Sequence, residues 1–75
     1  MNPNKHIVDR LKILYPAGCR VELDKMDDRQ APPEGTCGTV LHVDSIGTIH
    51  VCWDTGSSLG VVFGQDLCHR IDRRR

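Results

Sequence analysis

From Gly35 to Gly60 the chain reads as a series of short β-branched runs separated by turn residues. Thr36–Val43 and Thr48–Asp54 are joined by Asp44-Ser45-Ile46-Gly47, and Asp54-Thr55-Gly56 opens a third run, Ser57–Val62. Strand, tight turn, strand, tight turn, strand is the plan of a β-meander. Ile49, Val51 and Trp53 share one parity against His50 and Cys52, so this strand is half-buried on a clean alternation. The preceding run has no clean parity. Cys37, Thr39, Leu41 and Val43 oppose Gly38, Val40 and His42, and a bulge near Leu41-His42 would let both Val40 and Val43 face inward.

Ahead of the meander, Asn2-Pro3 forms a cap-then-proline signal, with Ile7, Leu11 and Leu14 at helical spacing and Val8 and Tyr15 extending that face. The spacing predicts a helix from Pro3 to about Leu14. Ile13 stands off the stripe, and Pro16 with Gly18 breaks the helix. Cys19–Asp24 reads as a first strand with Val21 and Leu23 inward, and Lys25–Gly35 as a long loop stiffened by Ala31-Pro32-Pro33. After the meander, Leu59, Val61 and Phe63 are the inward set of a fourth strand. Gly64–Leu67 reads as a 3₁₀ link, and Cys68–Asp72 as a fifth strand with Ile71 inward. The fold class expected is mainly β: a five-stranded SH3-like small barrel with an N-terminal α-helix. Residues 1–17 are the helix and linker, 18–72 the barrel, and 73–75 a basic tail.

Several motifs strengthen that reading. Arg20-Val21-Glu22-Leu23, Met26-Asp27-Asp28, Ala31-Pro32-Pro33-x-Gly35-Thr36, Gly38-Thr39-Val40 and the run Ile46-Gly47-Thr48-Ile49-His50-Val51-x-Trp53-Asp54-x-Gly56-Ser57-Ser58-Leu59-Gly60 stand in this order. Together they resemble a small bacterial SH3-like family, met in Firmicutes and their mobile elements and catalogued as a domain of unknown function. The resemblance covers roughly Gly18–Ile71. It implies a fold and a bacterial or phage setting, and carries no established activity.

Composition narrows the function classes. With 75 residues the chain is one domain, and with one Trp, one Tyr and one Phe its core must be mostly Val, Ile and Leu. No run approaches membrane-spanning length and no signal-peptide pattern opens the chain, so a cytoplasmic protein is expected. Net charge is zero, but no Lys or Arg lies between Gln30 and His69, where Glu34, Asp44, Asp54 and Asp66 do. Nucleic-acid affinity comes largely from cations along phosphates, so the central meander is a poor surface for it. Cys19, Cys37, Cys52 and Cys68 stand 15 to 18 residues apart without a C-x-x-C knuckle, and free thiols are expected rather than disulfides or zinc. A His/Cys metal site on Cys37, His42, His50 and Cys52 needs a register the sequence does not define. Cys68-His69, adjacent on a strand, would point to opposite faces, so no catalytic pair is expected. The expected cofactor is none.

The expected function is a non-enzymatic protein-interaction module, adaptor or regulatory in kind, whose partner is another protein. Its surface is expected between the Asp24–Gly35 loop and the Asp54–Ser58 turn, with Trp53, Asp54, Met26, Asp27 and Asp28 as candidate ligand-binding residues. Trp53 shares the parity of Ile49 and Val51, which favours a core role, and loop charges such as Asp27 and Asp28 are commonly just solvated. The alternative is a nucleic-acid accessory protein docking weakly through Arg70, Arg73, Arg74, Arg75 and the basic side of the helix. The helix face is expected to pack on this chain's own barrel as a monomer, the other arrangement being a dimer through the helix.

Overall fold

A computed structural model describes residues 4–71, in which one helix, α1 (Lys5–Leu14), precedes four strands, β1 (Arg20–Lys25), β2 (Cys37–Val43), β3 (Ile49–Trp53) and β4 (Leu67–Arg70). The strands form one antiparallel sheet in the order β3-β2-β1-β4. No helix among the described residues is long and apolar enough to cross a membrane.

The helix begins at a cap two residues later than the sequence signal. Asn4 Oδ1 accepts from the Ile7 N–H at 3.0 Å, satisfying a first-turn donor, while Asn2 and Pro3 lie outside the described residues. Val8 is the buried helical residue, and Leu11 and Tyr15 pack against the sheet's core. The apolar line therefore runs Val8–Leu11–Tyr15, and Leu14, expected on it, sits at its edge, 47% exposed. The last turn is tied down in cis: Arg70 Nη1 donates to the Leu14 carbonyl at 2.9 Å, one of the helix-end acceptors without an intrahelical donor.

The two half-buried strands behave as their alternation dictates. Val21 and Leu23 of β1, and Ile49, Val51 and Trp53 of β3, are all buried. On β2 the register shifts between Val40 and His42, the bulge that the mixed parity demands, and Val40 and Val43 both turn inward while Leu41 and His42 stay out.

Four strands, not five, make up the sheet. The segment expected as a fourth strand keeps one bridge, in which Ile49 and Val61 exchange N–H···O bonds of 2.9 and 2.8 Å. Its ladder stops there because its carbonyls are taken by other partners. Trp53 Nε1 donates to the Leu59 carbonyl at 2.8 Å, and the Trp53 N–H to the Ser57 carbonyl at 2.9 Å. The link that follows is a hydrogen-bonded turn rather than a 3₁₀ helix, with the Gln65 and Asp66 N–H groups both donating to the Val62 carbonyl. The last strand starts one residue earlier than expected. Cys68, opposite Leu23, packs on the core, whereas Ile71 follows the strand and is only half-buried. Asp72 and the Arg73–Arg75 tail lie outside the described residues.

Gly38 explains how Trp53 fits. A Cβ at this position would lie 2.6 Å from Val51 Cγ1, 2.9 Å from the Cys52 carbonyl oxygen and 2.9 Å from Trp53 Cε3. The indole, 1% exposed, packs against bare β2 backbone opposite its own cross-strand partner.

Candidate functional site

The candidate ligand residues differ in burial and in the partners they bond. Trp53 is buried, so the aromatic platform considered for it is corrected to a core role. Asp54 is gripped by Arg20, whose two guanidinium nitrogens donate to Oδ1 at 2.9 Å and Oδ2 at 2.6 Å. That fork also reaches Thr39 Oγ1 and holds the Asp54 carboxyl below its usual range. Asp27 and Asp28 belong to a different neighbourhood. The Asp27 N–H donates to Asp66 Oδ1 at 2.9 Å, and Asp28 Oδ1 accepts from the Gln30 N–H inside its own turn. Met26 is half-buried against the core. Asp54 and the Asp27–Asp28 pair thus bond to different partners, Arg20 in the one case, Asp66 and Gln30 in the other.

The outward face of the sheet is polar and internally paired. Besides Arg20 with Asp54, His69 Nδ1 lies 2.9 Å from Asp24 Oδ2, and His50 Nε2 lies 2.8 Å from Asp44 Oδ2. Asp44 Oδ1 in turn accepts from the Ile46 and Thr48 N–H groups, so one carboxylate ties the hairpin turn to the His50 ring. His42 stands directly across from His50 with the two rings stacked, centroids 4.4 Å apart. The register also puts Cys37 and Cys52 on this face as diagonal neighbours, since Cys52 faces Thr39. No disulfide joins the four cysteines, and among the described residues no group of three His, Cys, Asp or Glu side chains is placed to hold a metal.

One of these pairs makes a pH prediction. The hydrogen bond that His69 donates to the Asp24 carboxylate, helped by the charges of Asp24 and Glu22, raises the His69 pKa above its ordinary value. A raised folded-state pKa means the pair stabilises the fold below the unfolded value, about 6.5, and that this contribution fades as pH climbs through the folded value. Asp24→Asn is therefore expected to lower the urea midpoint more at pH 6 than at pH 8. An equal gap at both pH values would count against the pairing.

An open apolar cleft lies beside the β2–β3 hairpin turn. It measures about 130 Å³ and lies between α1, which contributes Leu11 and Tyr15, the hairpin turn at Gly47, Ile49 of β3, and Val61, Phe63 and Leu67 of the later segment. Asp66 and Cys68 complete its wall. Asp66 is 8% exposed and fully engaged: Oδ1 takes the Asp27 N–H and Oδ2 the Val62 N–H, each at 2.9 Å. One buried carboxylate thus anchors the acidic loop to the cleft wall. The Tyr15 hydroxyl donates to the Cys68 carbonyl at 3.4 Å. Burial, then the nearby Asp24 and Cys19, pushes the Cys68 thiol up to about 11, so it is protonated at neutral pH and a poor nucleophile.

Leu67, 60% exposed, lines this cleft, whereas the exposed Ile13 and Leu14 line a separate hollow with Arg10. Sequence reading missed Leu67 and Asp66 because both fall in the segment taken as a connecting link. The available signal was an acid, Asp66, set between Phe63 and the apolar pair Leu67-Cys68.

No curated protein and no solved structure matches the chain. A family model does, over residues 4–71, nearly the whole sequence, from the helix cap to the residue after β4. The chain belongs to the family described as Domain of unknown function (DUF4314).

Proposed function

We propose that this protein is a non-enzymatic protein-interaction module whose binding surface is the apolar cleft between α1 and the 61–68 segment. The observation that carries the reading is an open apolar cleft with the exposed Leu67 in its wall, while the charges on the sheet's outer face satisfy one another. Open apolar hollows mark interaction sites, whereas scattered exposed apolar side chains need no explanation. At about 130 Å³ the cleft falls below the roughly 300–1,000 Å³ typical of small-molecule and cofactor sites, and it suits a single side chain of a partner protein. The order of β4, β1, β2 and β3, continued by the Val61 bridge, fits an open variant of the SH3-like plan, in which recognition uses loop-lined grooves.

Nucleic-acid docking through Arg70 and the Arg73–Arg75 tail is the less favoured reading. Arg70 already donates to the helix end, and Arg20 is neutralised by Asp54. The test uses a photo-crosslinking amino acid placed at position 67, with position 41 on β2 as an exposed control outside the cleft. Nuclease-resistant crosslinks to protein from position 67 but not 41 are expected in the native host. Equal crosslinking at both positions, or nuclease-sensitive products, would overturn the assignment.

A further inference from the structure

We propose that the last turn of α1 docks on a membrane surface rich in anionic phospholipid, with Ile13 and Leu14 entering the acyl boundary and the cations around them meeting the phosphates. This goes beyond the cleft at Leu67 and uses another face of the molecule. Val8, Leu11 and Tyr15 turn one side of the helix onto the sheet, which leaves Ile13 facing away, 75% exposed, and Leu14 at the edge. Both line a hollow with Arg10, so one guanidinium and two aliphatic side chains share a single patch. Lys12 stands in the same last turn. Arg70 reaches in from β4 to the Leu14 carbonyl, a neutral acceptor that leaves its charge in place. After Ile71 and Asp72 the sequence adds Arg73-Arg74-Arg75. The helix's one acid, Asp9, is bonded to Lys5 at 2.9 Å, and among the described residues no carboxylate makes a salt bridge with Arg10 or Lys12. The patch is therefore cationic around an apolar centre, and its complement is anionic with an apolar interior. Two aliphatic side chains fall far short of the roughly 800 Å² per partner that a stable protein interface buries, and a phosphate backbone has no place for either. A bilayer takes both halves of the patch: its interface accepts a small apolar insertion from a helix, and its anionic headgroups attract the neighbouring Lys and Arg.

Flotation of the full chain with vesicles of phosphatidylglycerol and phosphatidylcholine, against vesicles of phosphatidylcholine alone, tests this at about 0.1 M salt. The wild type is expected to float with the anionic vesicles, to stay behind with the neutral ones, and to be released at about 0.5 M salt, where screening is stronger. Ile13→Ser keeps the charge and should lower partitioning about tenfold, the effect of withdrawing one aliphatic side chain from an apolar phase. Arg10→Gln should lower it about fivefold, one cation's share at an anionic surface. Leu41→Ser, on β2, is the control and should partition as wild type. All three positions are exposed, and circular dichroism checks that each variant is folded. A wild type that ignores the anionic vesicles, or an Ile13→Ser variant that floats with them equally well, overturns the proposal. If duplex DNA at equal phosphate concentration draws the chain off the vesicles, and draws Ile13→Ser as readily, the patch is a nucleic-acid surface and membrane docking falls.

Discussion

Trp53→Ala is expected to leave this chain largely unfolded at 25 °C. The indole is the largest side chain of the core and is 1% exposed, in contact with a cluster otherwise built from Val, Leu and Ile. Truncating a buried Trp typically costs roughly 3–5 kcal/mol, from lost transfer energy and the cavity left behind. A single core in a domain below about 70–80 residues rarely supplies more than about 3–5 kcal/mol in total, so the loss is comparable to the whole stability. Trp53 also donates to Leu59, which draws the 57–61 segment against β3, so that segment should loosen with it. Collapsed amide dispersion in a one-dimensional proton spectrum would show the effect, and a cooperative urea transition close to wild type would refute it. Gly38→Ala tests the same packing from the other side. The added methyl would meet the Cys52 carbonyl and the Trp53 ring at 2.9 Å, and neither can yield without moving β3. A cost of about 1–3 kcal/mol is expected, the usual range for overpacking.

The second large effect is expected at Asp66. Asp66→Ala deprives two backbone donors, on Asp27 and Val62, of their acceptor in a part of the chain that is 8% exposed at the carboxylate. Each buried group left unsatisfied costs about 1–3 kcal/mol, so a loss of roughly 2–4 kcal/mol follows, reduced where water reaches the freed donors. Asp66→Asn keeps one acceptor oxygen and should lose about half as much. The consequence reaches function as well as stability, because Asp66 both lines the cleft and holds the Met26–Asp28 turn beside it. Hydrogen exchange at the Asp27 and Val62 amides should rise in both variants ahead of the β2 and β3 amides. Unchanged protection there would show that the carboxylate is not the anchor described above.

The contrast between Trp53 and Asp66 shows what local pattern can and cannot carry. Trp53 was legible as a core residue because strand geometry alternates sides, and Ile49 and Val51 define which side is inward. The β2 bulge was legible for the same reason: Val40 and Val43 cannot both be buried on an unbroken ladder, and the observed register shift falls between Val40 and His42. Asp66 had no such neighbour-based signal. Its partner Asp27, at 39 residues' separation, is brought to it only when β4 pairs with β1, while Val62 lies four residues away in the same turn. The same holds for Asp54, which reads locally as a turn opener and is claimed by Arg20 from a strand 34 residues away.

The sequence by itself determined the helix, the first three strands, and the inward residues of β1 and β3. All of these rest on periodicities of two or 3.6 residues, or on short spacings, which are properties of a few adjacent positions. Only the tertiary structure decided that the Ser57–Val62 run would keep a single bridge. It alone decided that the helix would turn Val8 rather than Leu14 inward, and that Leu67 would stand at the mouth of an apolar cleft. Each of those outcomes turns on competition between distant groups for one carbonyl, one core space or one edge of the sheet. Such competition is settled by packing, where the indole of Trp53 reaches Leu59 before a ladder can form, and no window of local sequence contains both competitors' surroundings.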